Sequence, residues 1–120
     1  LGLIAAGEPI EALENPEMVD IPSSLLHPDN YVLQVKGNSM IDEQIHDKDY
    51  IVARKTNTAR SGQIVVALIN GEATLKYYIH GPEGVELHPR NPDFPIIKVD
   101  PKDDFHINGV LLYSFRNYLN

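Results

Sequence analysis

A close succession of short β-type runs, each ended by a turn signal, limits this chain's fold more than any other feature. The first run covers residues 31–35, and the next covers residues 50–54. Residues 63–69 are almost entirely apolar, which predicts a strand buried on both faces. Helical periodicity is almost absent. This pattern predicts an all-β fold, a compact barrel-like or sandwich arrangement of short, mostly antiparallel strands.

Turn signals place the remaining elements. Asn70-Gly71 is a two-residue hairpin signal that joins residues 63–69 to residues 72–79. Further runs follow at residues 85–88, 96–99 and 105–115, and we expect an interruption of the last run at Asn108-Gly109. The polar residues 41–49 have room for one helical turn.

The first thirty residues differ in composition from the rest of the chain. They contain Pro16, Pro22 and Pro28 among many acidic side chains, which predicts a flexible arm and an irregular connection. One short helical turn fits residues 11–14. We therefore divide the chain into an arm with its connecting segment, residues 1–30, and a β-domain, residues 31–120, within one structural domain.

Composition excludes several classes of function. The absence of cysteine excludes disulfides, thiolate metal sites and cysteine nucleophiles. A net charge of −7 disfavours nucleic-acid binding by this chain, because such binding depends on clustered basic side chains. The five histidines show no ligand spacing, and the calcium-loop pattern is absent, so we predict neither a metal nor a cofactor. Without a signal peptide or a long apolar run, a soluble cytoplasmic protein is expected.

Two side chains are candidates for catalysis. Ser39 lies in the turn Gly37-Asn38-Ser39-Met40, whose backbone N–H groups at Ser39 and Met40 are candidate oxyanion donors. Lys76 lies in an otherwise apolar strand, and burial there would lower its pKa and produce a neutral base. The alternatives are a turn serine that bonds the nearby backbone and a lysine on a solvated face, which are the usual cases for such residues.

An ordered set of motifs resembles the catalytic domain of LexA-type repressors, the self-cleaving Ser-Lys peptidases related to UmuD and phage repressors. The resemblance covers essentially the whole chain. It is carried by Ala5-Ala6-Gly7-Glu8-Pro9, Gly37-Asn38-Ser39-Met40, Asp47-Lys48-Asp49-Tyr50, Gly62-Gln63-Ile64-Val65-Val66-Ala67, Ala73-Thr74-Leu75-Lys76 and Glu86-Leu87-His88-Pro89-Arg90-Asn91-Pro92.

The resemblance implies a role for each matched position. Ser39 is the expected nucleophile, Lys76 the general base, and Ala6-Gly7 the bond that is cut. It further implies an SOS transcriptional repressor that is inactivated by its own cleavage, with the RecA–single-stranded-DNA filament as co-protease. A homodimer is expected through the strand that begins at Val110 and ends at Asn117. DNA would be bound only through an N-terminal domain absent from this chain.

Three alternatives remain open on sequence alone. A UmuD-like translesion polymerase accessory shares the chemistry, although that branch cuts after cysteine and Ala6 favours the repressor branch. Signal peptidases share the dyad and the fold but need a membrane anchor. In a non-catalytic β-barrel binding or dimerisation module, Ser39 and Lys76 would be surface residues.

Overall fold

A computed structural model of the chain describes residues 5–6 and 21–118. Its backbone forms eight strands with almost no helix, which confirms the all-β prediction. The strands are β1 (Ala5–Ala6), β2 (Asn30–Val35), β3 (Tyr50–Arg54), β4 (Ile64–Ile69), β5 (Glu72–Gly81), β6 (Gly84–His88), β7 (Ile97–Lys98) and β8 (Phe105–Phe115). Two single 3-10 turns, Ser23–Leu25 and Ile41–Glu43, complete the regular structure of the described residues. The second of these is the helical turn expected within residues 41–49.

One eight-stranded sheet contains all of these strands, in the order β1-β2-β3-β8-β4-β5-β6-β7. Every neighbouring pair is antiparallel except β1 and β2, which run parallel. The long β8 lies between β3 and β4 and so joins the first strands of the chain to the β4–β5–β6–β7 meander. A parallel pair needs a long connection, and 23 residues separate Ala6 from Asn30.

The hairpin between β4 and β5 is the predicted one. Asn70 and Gly71 both have positive φ, 51° and 85°, as a tight turn of this length requires, and Ile69 pairs with Glu72 across it. Val65 and Val66 are neighbours that face opposite sides of β4, and both are buried. The prediction of a strand covered on both faces is therefore confirmed.

The expected interruption of the last strand is wrong. β8 runs without a break from Phe105 to Phe115, and Asn108 is accommodated as a bulge because Val66 pairs with Gly109 while Ala67 pairs with Ile107. The Tyr31 hydroxyl donates a 2.9 Å hydrogen bond to the Asn108 carbonyl, and burial raises the pKa of Tyr31 to about 12. A turn-like dipeptide is thus absorbed into a strand that has partners on both sides.

The core beneath β2, β3 and β5 also holds the segment between β2 and β3. Met40 and Ile45 from this segment are each only 2% exposed. They pack in one cluster with Leu33, Ile51 and Leu75. Burying each side chain contributes about 1.5–3 kcal/mol, which is enough to hold this segment against the sheet. The core therefore positions both flanks of the site described next.

Parts of the sequence-based predictions fall on residues that the structure does not describe. Gly7 and the expected helical turn at residues 11–14 lie outside the described residues. The division of the chain at residue 30 therefore stays a prediction.

Candidate active site

Ser39 is presented by a tight turn between β2 and the Ile41–Glu43 helical turn. Gly37 has φ +86°, in the left-handed region that suits glycine, and its N–H donates a 2.6 Å hydrogen bond to Asp47 Oδ1. Asp47 N–H donates in turn to Asn38 Oδ1 at 3.0 Å. Met40, immediately after the serine, is anchored in the core. The serine is therefore half-buried on a turn that is held at both ends.

A second loop braces the same turn from the other side. Arg90 N–H donates to the Ser39 carbonyl at 2.8 Å, and the Asn91 side-chain amide donates to the Asn38 carbonyl at 2.9 Å. Asp42 N–H completes the contact by donating to the Arg90 carbonyl at 2.8 Å. In sequence, Arg90 and Asn91 were part of a family motif, but no role was inferred for either.

Lys76 reaches Ser39 from the middle of β5. Its Nζ lies 2.8 Å from Ser39 Oγ, 2.7 Å from Thr74 Oγ1 and 3.2 Å from the Leu75 carbonyl oxygen. The residue is only 6% exposed, so the alternative of a solvated lysine is wrong. Within the described part of the chain, no carboxylate forms an ion pair with Nζ.

Burial lowers the pKa of this amine. Desolvation lowers the pKa of Lys76 from 10.5 to about 8. At pH 7 roughly a tenth of the molecules then carry a neutral amine, whereas about one in three thousand would do so at the ordinary pKa. The gain in available base is therefore about 300-fold.

The two other hydrogen bonds of Nζ orient the amine. An ammonium has three N–H donors, and the three neighbouring oxygens match them one for one. After loss of one proton, Thr74 Oγ1 and the Leu75 carbonyl still accept the two remaining N–H groups. The lone pair then faces Ser39 Oγ. Thr74 is thus a site residue whose role the sequence reasoning missed, and its position two residues from Lys76 on the same strand face was the available signal.

A small, mainly apolar cleft opens beside the two side chains. Its volume is about 190 Å³, and Phe94, Pro95 and Ile97 form a wall that comes from the loop before β7 and from β7 itself. The remaining lining residues are Val35, Ser39, Met40, Thr74, Leu75 and Lys76. An apolar lining favours the neutral amine and accepts small uncharged side chains.

The N-terminal arm approaches this cleft through its backbone. Ala6 pairs with Val35, which lines the cleft, and Ala5 pairs with Gln34. β1 also lies against β5, the strand that carries Lys76. Sequence reasoning did not predict a strand at Ala5–Ala6, and two alanines give no β signal of their own.

Comparison with known proteins identifies the family of this chain. The profile described as Peptidase S24-like matches residues 1–112. The chain belongs to the Peptidase S24-like family. This membership confirms the recognition made from the sequence motifs.

Individual members of the family share much of the sequence. The LexA repressor of Syntrophotalea carbinolica is 45% identical over 98% of this chain, and that of Syntrophobacter fumaroxidans is 42% identical over 98%. The LexA repressor of Pseudothermotoga lettingae is 46% identical over the same share of this chain. The chain spans 58%, 57% and 60% of the length of these three relatives, respectively.

Across residues 5–6 and 21–118, no group of three or more histidine or acidic side chains is placed to hold a metal ion. No helix among the described residues is both long enough and apolar enough to span a membrane.

Proposed function

We propose that this chain is the catalytic and dimerisation domain of a LexA-like SOS transcriptional repressor, and that it cleaves its own Ala6–Gly7 bond with Ser39 and Lys76. The single observation that carries the proposal is the 2.8 Å contact between Lys76 Nζ and Ser39 Oγ at a buried lysine. Membership of a peptidase family and similarity to LexA repressors support it.

The proposed acylation step uses both side chains. The neutral amine of Lys76 takes the proton of Ser39 Oγ as this oxygen attacks the Ala6 carbonyl carbon. The backbone N–H groups of Ser39 and Met40 are the proposed donors to the oxyanion that forms. The Lys76 ammonium then gives its proton to the nitrogen of Gly7, the carbon–nitrogen bond breaks, and Gly7 leaves as a new amino terminus.

Deacylation uses the same base. Neutral Lys76 takes a proton from a water molecule that attacks the Ala6 ester carbonyl, and the protonated amine returns this proton to Ser39 Oγ as the ester bond breaks. No third catalytic side chain is needed, because desolvation activates Lys76 in place of an acidic partner. The bond lies in the same chain, so each molecule turns over once.

The paired β1 and β2 strands support Ala6 as the substrate residue. Their pairing places the backbone of Ala6 beside Val35, at the edge of the cleft that holds Ser39. Gly7 itself lies outside the described residues. Small residues at positions 5–7 suit a narrow cleft and allow a close approach of the backbone.

Self-cleavage in alkaline buffer tests the proposal. We expect incubation to yield two fragments that mass spectrometry assigns to a cut between Ala6 and Gly7. The rate should rise about tenfold from pH 7 to a plateau, with its midpoint near the Lys76 pKa of about 8. Ser39→Ala and Lys76→Ala should each abolish the cut. An intact wild-type chain, or a cut at another bond, would count against the proposal.

The proposed partners follow from the same assignment. We infer that a RecA–single-stranded-DNA filament acts as co-protease, that β8 and the residues after it form a homodimer, and that DNA is bound through an N-terminal domain. Leu112 and Tyr113 on β8 are 36% and 49% exposed, which supports an apolar contact there. Addition of the filament at pH 7 should accelerate the cut, and an unchanged rate would remove this partner.

A further inference from the structure

Asn91 holds the peptide group that leads into Ser39, although it touches neither Ser39 Oγ nor Lys76 Nζ by any hydrogen bond. Its Nδ2 donates to the Asn38 carbonyl oxygen at 2.9 Å. Its Oδ1 accepts a hydrogen bond from Asp93 N–H at 2.9 Å. These two partners, an acceptor and a donor, fix which end of the amide faces the nucleophile turn.

The Asn38 carbonyl shares one rigid plane with the Ser39 N–H. None of the described peptide bonds is cis, so the C=O and N–H of this unit point in opposite directions. A donor that holds the carbonyl therefore also sets the direction of the Ser39 N–H. In the described part of the chain this N–H donates to no other group, which leaves it available to a bound oxygen.

Few other contacts restrain this peptide plane. The only other described donor to the Asn38 carbonyl is Ile41 N–H, at the longer distance of 3.2 Å. The Asn38 side chain is held separately, by Asp47 N–H at 3.0 Å. Loss of the Asn91 amide would thus leave the residue in place but free its carbonyl to tilt.

We propose that Asn91 is a positioning residue for self-cleavage, and that its side-chain amide orients the Ser39 N–H toward the developing oxyanion. This inference rests on the proposed function. Its physical basis is that an oxyanion donor is most effective when it already points at the position of the oxyanion. A donor that must reorient during the reaction slows the reaction.

Two substitutions separate the donor from the rest of the side chain. Asn91→Asp keeps the size and the oxygen that accepts from Asp93 N–H, but it replaces the Nδ2 donor with an acceptor. Asn91→Ala removes both functions without adding charge. Asn57→Asp is the matched control, because Asn57 is exposed, makes no side-chain hydrogen bond to a described residue, and undergoes the same change of charge.

The measurement is the self-cleavage rate of the purified chain from pH 7 to pH 10, together with thermal unfolding of each variant. We expect both Asn91 variants to lose about tenfold to a hundredfold in plateau rate, less than the loss of a whole oxyanion donor. Asn91→Ala should keep the wild-type pH midpoint, since the surroundings of Lys76 are unchanged. Asn57→Asp should cleave like the wild type.

Several results would overturn the inference. One is a wild-type plateau rate in either Asn91 variant, and another is a shifted pH midpoint of cleavage in Asn91→Ala. A third is a loss of rate no larger than the fraction of unfolded variant protein accounts for. If one variant fails to fold, the plateau rate of the other decides. Failure of the proposed function has a different signature, because the wild-type chain and Asn57→Asp would then also remain uncut.

Discussion

Replacement of Lys76 by methionine tests how strongly the fold suppresses the charge of this amine. Methionine retains an unbranched apolar stem of similar length and has no titratable group. Both proteins should carry Ser39→Ala, so that self-cleavage does not interfere with the measurement. The comparison then isolates one buried ionisable group, because every other titrating side chain is common to the two proteins.

The sign of the effect follows from the two pKa values. Desolvation lowers the pKa of Lys76 to about 8 in the folded state, below its ordinary value of 10.5. The unfolded chain therefore binds the proton more tightly than the folded chain. Lys76 destabilises the fold most fully below pH 8, and this cost disappears as the pH rises through 10.5.

The magnitude can be worked out from the same values. A difference between 10.5 and about 8 corresponds to about 3 kcal/mol of destabilisation at pH 7. At pH 10 about 1 kcal/mol of this cost remains. The free-energy difference between the lysine and methionine proteins should therefore change by about 2 kcal/mol over this range. Loss of the donors to Thr74 Oγ1 and the Leu75 carbonyl adds a penalty to the methionine protein, but this penalty is independent of pH.

Urea denaturation at several pH values between 7 and 10 provides the assay. We expect the methionine protein to lose its relative advantage as the pH rises, with most of the change above pH 8. Parallel pH profiles for the two proteins would refute the reasoning, because they would show that Lys76 has the same pKa in the folded and unfolded states. Unfolding at each pH must be reversible for the comparison to hold.

Two further predictions concern the neighbours of the dyad and the exposed strand. Thr74→Val keeps the shape of the side chain but removes the acceptor for Lys76 Nζ, so we expect self-cleavage to slow about tenfold while the fold is retained. Mass spectrometry of timed samples measures the rate. A wild-type rate would show that Thr74 does not orient the amine. Tyr113→Asp places a charge on the exposed face of β8, and sedimentation equilibrium should show a weaker dimer; an unchanged dimer would move the proposed contact away from this residue.

Local patterns were sufficient to predict most strands of this fold. The run at residues 50–54 matches β3 end for end, because its aromatic and β-branched side chains favour a strand through local preference alone. Asn70-Gly71 was equally direct, since a turn with positive φ at both positions selects these residue types. The error at Asn108 has the opposite cause. β3 and β4 supply partners on both sides of β8, and this pairing overrides a local turn preference.

The candidate site was predictable only through its motifs. Ser39 and Lys76 were named because their neighbours resemble a peptidase family, yet nothing in the sequence indicates that two side chains 37 positions apart meet. Thr74 and Asn91 received no role, because an accepting hydroxyl and a donating amide look like ordinary polar residues in a sequence.

The protonation state of Lys76 cannot be predicted from its neighbours in the sequence. Alternation along β5 predicts which residues share a face of the strand, but it does not predict whether that face is exposed to solvent or buried. That depends on Met40, Val35 and the wall of Phe94, Pro95 and Ile97, which come from distant parts of the chain and line the cleft beside the lysine. Desolvation is a property of all the atoms around a group, whereas a turn or a strand is a property of a few consecutive residues. The sequence therefore determines which side chains the site contains, and the tertiary packing around Lys76 lowers its pKa.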